Sequence, residues 1–594
     1  MRLVADIETD NFLHKLTKIH CIAALDADNP SKSWCFGPDK IDDAIELLQS
    51  ADELIFHNGI CFDIAAIQKL YPNFSTDNLT LTDTLVLSRL IRADLLERDI
   101  KDAWRDPETR FPKRLFGSHG LKAWGHRLGL LKGDFGEKTD WKEWSQEMQD
   151  YCILDVKVTH RLWKHLAPEK WSQRSIVFEH KVAELCHRIG NAGWTFDVPK
   201  SGELYAQLSL EKSSIEEELC DLFPPWHVDE EFIPKRDNKR LGYIAGEPFI
   251  KKTEIRFNPN SRRHIEYCLR QKYNWKPKVF TDSGNAKIDE TTLSSLPFPE
   301  AQRLARSFML QKRLGMLAEG KNAWMQLVDR DGKLRHTINP LGTVTGRASS
   351  FGPNLQQVPA VRAAFGKECR QLFGVPNGNV LVGADLSGIE LRCLAHYMQD
   401  GGEFAREVTS GDIHTANMNS MGLTDRNQAK TAIYCMIYGG GNQRLGEIAG
   451  KGSAEGKIIR DRFYKANPAF ADLLRQVKSV ARNRGYLIGL DGRQLYVRSE
   501  HGALNVLLQS CAAVLAKQWV YLIDQEIKRQ DIPATIIAFV HDEIQISLQQ
   551  KEGGMADHVG NLTMRMAQEA GRSFEFKVPI DAEYSVGKTW ADTH

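Results

Sequence analysis

The chain has 594 residues, of which 42% are hydrophobic and 26% are charged, and its formal net charge is +1. One hydrophobic core does not serve a chain of this length, so we expect three or more domains. Because the net charge is close to zero, no overall positive charge attracts nucleic acid to the molecule as a whole. The 11 cysteines do not have the spacing of zinc ligands, which argues against a zinc site. We find no bilayer-length apolar stretch and no targeting segment, which predicts a reducing cytoplasm and no membrane partner.

Residues 1–175 alternate short apolar runs with helical patterns, which predicts an α/β sheet domain. Asp6 and Glu8 follow an apolar run, and residues two apart on a strand point to the same face, so their carboxylates project together. A divalent cation commonly relieves such repulsion. Further on, Tyr151 and Asp155 share one helix face. Each pattern alone is also typical of a polar strand end or a helix surface.

Residues 176–340 have mostly helical patterns, with one polar, basic interruption near 224–256. From 231 to 280 the sequence has 13 Lys and Arg against 5 Asp and Glu. Such an excess of positive charge could neutralise a phosphate backbone. A solvated loop surface has the same composition, so both interpretations stay open.

Strand-like runs return after residue 340 and bracket a long helical stretch. One apolar run ends at Asp385, and another leads into His541, Asp542 and Glu543. A carboxylate at the end of a buried strand can meet a substrate. Each motif alone also has an alternative interpretation. Asp385 could be a helix N-cap, and Asp542 could lie at a solvated hairpin tip.

A helical stretch between these motifs presents Arg426, Lys430, Tyr434 and Tyr438, each four residues from the next. Four residues turn a helix by about 400°, so these side chains drift by only about 40° per step and form one stripe. Two cations and two aromatic rings suit a triphosphate and a stacked base. Gly439 follows directly and is expected to end the helix.

The segments around Asp385, from Arg426 to Gly439, and at His541-Asp542-Glu543 resemble motifs A, B and C of the family A (Pol I-like) DNA polymerases. Shorter segments agree with the same family, namely Thr345-Gly346-Arg347, residues 354–359, 490–493 and 505–509. Residues 392–396 and 412–415 are similar to the replicative polymerases of short-tailed phages, the T-seven type.

The N-terminal carboxylates resemble, in their order along the chain, the exonuclease motifs of the DEDD superfamily in its Tyr-containing variant. The matching residues are Asp6, Glu8, Asp63, Tyr151 and Asp155. This resemblance implies that the four acids hold two Mg²⁺ ions and that the tyrosine orients the attacking water. Together the two resemblances imply a 3′–5′ proofreading exonuclease joined to a polymerase.

The implied fold class is α/β multidomain, with an RNase H-like exonuclease domain and a right-hand polymerase domain. The implied domains are the exonuclease at 1–175, thumb and connecting helices at 176–340, a first palm segment at 341–405, fingers at 406–480 and a second palm segment at 481–594. The bacterial cytoplasm, as the host compartment of a phage enzyme, is the expected location.

The polymerase resemblance implies a role for each matching residue. Two Mg²⁺ ions would be bound by Asp385, Asp542 and the Leu386 carbonyl, with Glu543 assisting nearby. The incoming nucleotide would contact Arg426, Lys430, His414, Tyr434, Tyr438 and Glu390, of which Lys430 would protonate the pyrophosphate and Glu390 would exclude a ribose 2′-hydroxyl. The primer end and the minor groove of the duplex would be contacted by Arg347, Asn505, Gln509 and His541. In this family a tyrosine at the position of Tyr434 implies ready incorporation of dideoxynucleotides.

The implied partners are primer-template DNA, deoxynucleoside triphosphates and a replisome helicase-primase. Phage relatives have a long thumb insertion that captures thioredoxin, and the corresponding stretch between Trp226 and Tyr243 is much shorter here, which argues against a thioredoxin partnership. Two rival hypotheses are an exonuclease of the RNase D kind with an unrelated C-terminal half, and a non-catalytic nucleic-acid-binding protein. The presence of every motif carboxylate argues against both.

Overall fold

The computed structural model describes residues 1–106, 111–131, 135–240, 242–550 and 554–594. The chain divides into two compact units, one formed by Met1–Thr195 with Arg335–His594 and the other by Phe196–Leu334. All residues predicted for catalysis and for nucleotide binding lie in the first unit, whereas the predicted basic interruption lies in the second.

The N-terminal part of the first unit contains a five-stranded sheet. Its strands are β1 (Arg2–Thr9), β2 (Ile19–Asp26), β3 (Ser33–Phe36), β4 (Glu53–Phe56) and β5 (Thr80–Asp83). They lie in the order β3-β2-β1-β4-β5, with β1 antiparallel to β2 and parallel to β4, and β4 parallel to β5. Along β1, Val4 belongs to one hydrophobic cluster, whereas Leu3, Ala5 and Ile7 belong to another. The sheet is therefore buried on both faces.

Helices supply the partners for those two faces. They are α1 (Ile41–Gln49), α2 (Asp63–Leu70), α3 (Thr84–Ile91), α4 (Leu95–Arg105), α5 (Leu121–Arg127), α6 (Phe135–Lys138), α7 (Gln146–Leu166) and α8 (Gln173–Ala192). The cluster that includes Val4 also includes Leu87 of α3, Trp124 of α5 and Leu162 of α7. The opposite cluster includes Leu48 of α1 and residues of α2. This part of the chain is thus a sheet between two helical layers, as the alternating pattern predicts.

The second unit is mostly helical. Following β6 (Trp194–Phe196), its elements are α9 (Val198–Leu222), β7 (Trp226–Phe232), β8 (Phe249–Ile255), α10 (Arg262–Tyr273), α11 (Glu290–Ser294), α12 (Pro299–Leu314), a π-helical turn (Gly315–Glu319), α13 (Trp324–Leu327) and β9 (Lys333–Leu334). The four longer α-helices enclose a small core that includes Leu219, Phe223, Leu269 and Leu304.

The predicted basic interruption is an antiparallel hairpin, in which β7 pairs with β8 from Trp226 opposite Ile255 to Phe232 opposite Phe249. The stem of this segment is therefore a ribbon rather than a loop. Its middle residues are mostly exposed, as a solvated surface requires.

The C-terminal part of the first unit has nine strands in its described residues, 335–550 and 554–594. They are β10 (Thr337–Asn339), β11 (Ser349–Phe351), β12 (Phe373–Gly374), β13 (Asn379–Leu386), β14 (Tyr486–Ile488), β15 (Gln494–Tyr496), β16 (Ala534–Val540), β17 (Glu543–Gln549) and β18 (Ala582–Gly587). Four of them form an antiparallel sheet in the order β16-β17-β13-β18.

Ten α-helices are described in the same part of the chain, outside residues 551–553. They are α14 (Gly366–Arg370), α15 (Ile389–Tyr397), α16 (Glu403–Thr409), α17 (Ile413–Met421), α18 (Arg426–Ile437), α19 (Asn442–Ile448), α20 (Ser453–Ala466), α21 (Pro468–Arg484), α22 (Ala503–Arg529) and α23 (Met555–Arg572). Val382 and Leu386 of β13 share one hydrophobic cluster with Trp519 of α22 and Val559 of α23. The long helices thus pack on the sheet and fix the position of the end of β13.

The stretch Glu500–Arg529, which includes α22, is long and apolar enough to span a bilayer, so the expectation that the chain has no such stretch was wrong. Most of its apolar window is buried inside the fold. Trp519, for example, is fully buried and donates through Nε1 to the Thr563 carbonyl at 2.8 Å. The hydrophobicity of this helix is therefore explained by its place in the core.

Candidate functional site

The two carboxylates predicted at strand ends lie next to each other. β13 pairs with β17 so that Asp385 is opposite Glu543. The amide of Leu386 donates to the main-chain oxygen of Asp542 at 3.0 Å, which brings the β16-β17 turn against the end of β13. His541 occupies that turn with a φ of +60°. Strand pairing, rather than proximity in sequence, therefore brings the two aspartates together.

The electrostatics of this pair disfavour two bare anions. Burial, followed by the charges of Asp542, Glu543 and Glu583, raises the pKa of Asp385 to about 8. Burial also raises the pKa of Asp542. A cation placed between the carboxylates would stabilise their ionised forms. The N-cap alternative for Asp385 does not hold, because α15 begins after Gly388.

Glu543 is buried and its carboxylate is held by residues that the sequence did not indicate. Its Oε1 accepts hydrogen bonds from Gln545 Nε2 at 2.7 Å and from Trp590 Nε1. Arg370 lies 3.9 Å from Oε1, and His594 lies 3.4 Å from Oε2. These contacts fix the orientation of Glu543 within the sheet. Trp590 lies far along the chain and has no motif of its own that points to this role.

Helix α18 begins at Arg426 and ends at Ile437, which confirms the predicted helix. Lys430 is exposed on it. Arg426 makes two hydrogen bonds to Asp412, from Nε to Oδ2 at 2.9 Å and from Nη2 to Oδ1 at 3.0 Å. Asp412 also caps α17, so it ties the start of one helix to the start of the next. Its role as the anion that holds Arg426 was not predicted.

Glu390 links the helix stripe to the loop that precedes the sheet. Its Oε2 accepts from Tyr438 Oη at 2.6 Å, and its Oε1 forms an ion pair with Arg347 at 2.5 Å. Burial, with smaller contributions from the charges of Glu390 and Asp542, raises the pKa of Tyr434 to about 12. Both tyrosines of the stripe therefore lie within electrostatic range of the acidic site. Glu390 thus bonds to Tyr438 and also acts electrostatically on Tyr434.

Three further residues predicted to contact nucleotide or DNA are His414, Asn505 and Gln509. Burial, followed by the charges of Arg426 and Lys430, lowers the pKa of His414. Asn505 and Gln509 are half-buried in the first turns of α22. His414 thus belongs electrostatically to the stripe on α18.

The N-terminal sheet holds a second acidic cluster. A carboxylate oxygen of Asp6, one of Glu8 and the Cys152 sulfur all lie within 4.8 Å of one another. Asp63, the first residue of α2, accepts a hydrogen bond from the Ile7 amide at 3.2 Å, so it adjoins the same strand. The structure therefore brings together acids that are far apart in sequence. Cys152 was not predicted here, and it is buried between α7 and β1, where its sulfur donates to the Asp6 carbonyl at 3.3 Å.

Burial raises the pKa of Asp63 to about 7, and the charges of Asp83 and Asp155 add to the effect. Asp155 is buried on α7, one turn from the half-buried Tyr151. The ring of Tyr151 packs on Phe135 with centroids 5.5 Å apart. All four predicted acids and the tyrosine therefore belong to elements that meet at the end of β1.

Asp83 is a further buried acid that sequence reasoning missed. Its carboxylate accepts hydrogen bonds from the amides of Asn58 at 2.9 Å, Ile60 at 3.3 Å and Leu85 at 2.8 Å. It therefore shapes the loop that leads to Asp63. Like Asp385, it follows a strand-like run and precedes a helix, and this pattern is the signal that could have found it.

Comparisons with known proteins agree with these motifs. The model of DNA polymerase family A matches residues 240–592. The DNA-directed DNA polymerase of Enterobacteria phage T3 is 33% identical and that of Escherichia phage T7 is 32% identical, each with 100% of both chains covered. The alignment with the T3 protein spans 714 positions against 594 residues here, so that relative has segments without a counterpart in this chain.

The fold also matches a solved structure, described as the POL domain of Pol1 from M. smegmatis in complex with DNA primer-template and dNTP. The TM-score is 0.74 at 18% sequence identity, and the match covers 100% of this chain and 96% of that one. The resemblance drawn from the motifs around Asp385, Arg426 and Asp542 is therefore confirmed. The chain belongs to DNA polymerase family A.

Proposed function

We propose that this chain extends a DNA primer at one site and removes mispaired 3′ nucleotides at another, as part of phage DNA replication. Its family makes it a DNA-directed DNA polymerase of the phage T7 type. The observation that supports the assignment to particular residues is the proximity of Asp385 and Asp542, near the helix that carries Tyr434 and presents Arg426 and Lys430.

Family A polymerases use divalent metal ions. The oxygen atoms of Asp385 and Asp542, at the end of the sheet, suit such an ion. Asp385 and Asp542 offer carboxylate oxygens whose pKa values are raised by burial and, at Asp385, by neighbouring anions. Hard oxygen donors of this kind suit Mg²⁺. We propose two Mg²⁺ ions held by Asp385, Asp542 and the Leu386 carbonyl. When bound, such ions lower the pKa of a hydroxyl group and neutralise negative charge on phosphate.

The side chains of α18 and α17 would position the incoming nucleotide. Lys430 would contact the phosphates and donate a proton to the departing pyrophosphate. Arg426 would exchange its Asp412 partner for phosphate oxygens, which form equally good charge-assisted hydrogen bonds. His414 lies within the field of both cations and would complete the phosphate contacts.

The base and the sugar would meet the other end of the stripe. Tyr438 would stack near the templating base after it leaves Glu390, and Tyr434 would contact the sugar at its 3′ position. Glu390 would exclude a 2′-hydroxyl. Glu543, held within the sheet, would act as a nearby anion rather than as a permanent ligand.

The primer end and the minor groove would be contacted by polar side chains around the sheet. These are Arg347, Asn505, Gln509 and His541. Correct base pairs all present acceptors in similar minor-groove positions, so donors placed there can follow a duplex without reading its sequence.

The N-terminal sheet supports the exonuclease half of the proposal. We propose that residues 1–175 form an RNase H-like 3′–5′ exonuclease domain in which Asp6, Glu8, Asp63 and Asp155 hold two Mg²⁺ ions. Three observations support this site, which are the clustering of Asp6 with Glu8, the raised pKa of Asp63 and the sheet order β3-β2-β1-β4-β5. Tyr151 would orient the attacking water.

The proposed polymerase domains keep the predicted bounds. They are thumb and connecting helices at 176–340, palm at 341–405 and 481–594, and fingers at 406–480. Proposed partners are primer-template DNA, deoxynucleoside triphosphates and a helicase-primase in the bacterial cytoplasm. We propose that the enzyme does not need thioredoxin. Two observations support this: the segment between Trp226 and Tyr243 is short, and the T3 relative has positions without a counterpart in this chain.

One experiment tests both sites. Purified protein, primed template, Mg²⁺ and deoxynucleoside triphosphates are combined, and Asp385→Ala is compared with Asp6→Ala. We expect the first variant to lose extension and keep degradation, and the second to do the reverse. Asp472→Ala, in an exposed ion pair on α21, is the matched control and should keep both activities. Loss of both activities in Asp385→Ala or in Asp6→Ala would contradict two separate sites.

The rival hypotheses make different predictions in the same assay. A dedicated exonuclease would degrade the primer and never extend it, and a non-catalytic binding protein would do neither. Family membership already argues against both. Extension that requires Asp385 would exclude both.

A further inference from the structure

His180 joins helix α8 to the end of strand β5 in the N-terminal sheet. Its Nε2 accepts a hydrogen bond from the main-chain amide of Asp83 at 2.8 Å, and its Nδ1 lies 2.8 Å from the Ile176 carbonyl. An amide can only donate and a carbonyl can only accept, so Nδ1 carries the proton and Nε2 is the acceptor. The ring is buried, and both of its nitrogens are used.

Helix α8 is also held by the polymerase core. The residue before His180 is Glu179, whose buried carboxylate accepts hydrogen bonds from Lys517 Nζ at 2.6 Å and from Arg493 Nη2 at 2.6 Å. Consecutive side chains of a helix point about 100° apart, so α8 presents one of these two residues to the core and the other to the sheet. The position of the His180 ring is therefore fixed from outside the N-terminal sheet.

Asp83 connects this ring to the loop between β4 and α2. Its carboxylate accepts hydrogen bonds from the amides of Asn58 at 2.9 Å and Ile60 at 3.3 Å. Asn58 has a φ of +68°, and a Cβ atom at Gly59 would lie 2.2 Å from the Cβ of Phe56. The loop thus has a tightly packed conformation, and its amides depend on the Asp83 carboxylate.

The same loop leads directly into Asp63, one of the proposed exonuclease acids. The Ile64 amide donates to the Gly59 carbonyl at 2.9 Å, which ties the first turn of α2 to the loop. Asp63 in turn accepts from the Ile7 amide at 3.2 Å, and Ile7 lies between the two acids of β1. A shift of the loop would therefore move Asp63 relative to the other carboxylates of the site.

We propose that His180 is a positioning residue of the exonuclease site, which keeps Asp63 in place for a divalent cation by way of Asp83. His180 itself would touch neither DNA nor the cation. Removal of its acceptor would leave the buried Asp83 amide without a hydrogen bond and would allow the loop to move. The inference rests on the proposed exonuclease function, and it makes that activity depend on a helix anchored in the polymerase core.

The competing interpretation is that His180 only stabilises the fold. Loss of stability would reduce the folded fraction, so extension and degradation would fall together, and the Mg²⁺ concentration at half-maximal degradation would stay the same. A positioning role predicts weaker binding of Mg²⁺ at the exonuclease site alone. Loss of a group that orients a metal ligand typically costs about 10- to 100-fold in metal affinity or activity.

The test measures degradation of a single-stranded oligonucleotide by the full chain at increasing Mg²⁺, for the wild type, His180→Leu and His180→Gln. Leucine removes the acceptor, whereas the amide oxygen of glutamine can accept from the Asp83 amide. In the leucine variant the half-maximal Mg²⁺ concentration should rise about tenfold, while the KM for the oligonucleotide stays the same. Glutamine should restore most of the Mg²⁺ affinity.

A second readout does not depend on catalysis. Binding of Mn²⁺ without DNA is measured by electron paramagnetic resonance, and the ions that are lost in Asp6→Ala identify the exonuclease site. The affinity of those ions should fall about tenfold in His180→Leu and return in His180→Gln. Lys181→Gln is the matched control, because Lys181 is the next residue of α8 and is exposed, and it should match the wild type.

Extension of a primed template should be unchanged in all three variants of α8. An unchanged Mg²⁺ dependence in His180→Leu would overturn the proposal, and so would a glutamine variant as weak as the leucine variant. Loss of extension in His180→Leu would also overturn it, because His180 would then support the whole first unit. Failure of the wild type to degrade the oligonucleotide is a different result, which would contradict the proposed function.

Discussion

A buried ionic network ties helix α8 to the polymerase core, and it gives the sharpest stability prediction. Glu179 of α8 is fully buried and accepts hydrogen bonds from Lys517 Nζ at 2.6 and 2.8 Å and from Arg493 Nη2 at 2.6 Å. Arg493 also binds Asp491, so two cations balance two anions out of contact with water. Burial lowers the pKa of Lys517 despite the neighbouring Glu179.

The perturbation is Glu179→Gln, which keeps the side-chain shape and removes one buried negative charge. Two cations would then face only Asp491. Removal of one partner from a buried ion pair costs about 3–5 kcal/mol. Unfolding entropy is about 2 cal/mol/K per residue, so for a unit of roughly 450 residues the melting temperature should fall by about 3–5 °C. Unfolding in smaller steps would make the shift larger.

The assay is thermal unfolding of the full chain, measured by calorimetry. Glu184→Gln is the matched control, because Glu184 lies on the same helix, is 61% exposed and lies 3.9 Å from Arg188. An exposed pair of this kind contributes about 0–1 kcal/mol, so the control should melt within about 1 °C of the wild type. Equal shifts in the two variants would refute the reasoning that burial makes this network sensitive.

Three further predictions concern other parts of the first unit. Tyr434→Phe should lower dideoxynucleotide incorporation relative to deoxynucleotide at least about tenfold in a primer-extension competition, equivalent to about 1.4 kcal/mol, and an unchanged ratio would contradict the sugar contact. Burial lowers the pKa of His336 to about 4. Because this value lies below that of the unfolded chain, stability should fall as pH decreases from about 6.5 to 4, and His336→Gln should reduce this dependence by up to about 3 kcal/mol in urea titrations. Asp83→Asn should lower exonuclease turnover while extension remains, whereas exposed Asp77→Asn should change neither.

The sequence predicted those features that depend on local pattern. The apolar run before Asp385, the spacing of the stripe on α18 and the apolar run before Asp6 each predicted the observed element, since strand and helix periodicity is set by the nearest residues. Motif resemblance then predicted the family, which the comparisons confirm.

What the sequence did not predict depends on contacts between distant segments. Glu543 is held by Trp590 and Gln545 because of the register of the sheet and the path of the last residues, and no local pattern encodes that meeting. Asp412 meets Arg426 across two helix starts, for the same reason. The long α22 matched the composition of a membrane span because a fully buried core helix and a lipid-facing helix satisfy the same apolar requirement.

The two acidic sites share one physical arrangement. In each, a carboxylate on or beside a buried strand has a pKa that burial and neighbouring acids raise, that of Asp385 to about 8 and that of Asp63 to about 7. The raised pKa means that the folded chain holds these anions in a position that a divalent cation would stabilise. The groups near the two sites differ, with Tyr434 of α18 near the first and Tyr151 of α7 near the second. Under the proposed function, these neighbouring groups, rather than the carboxylates themselves, would distinguish a site that binds a nucleotide from a site that activates a water molecule.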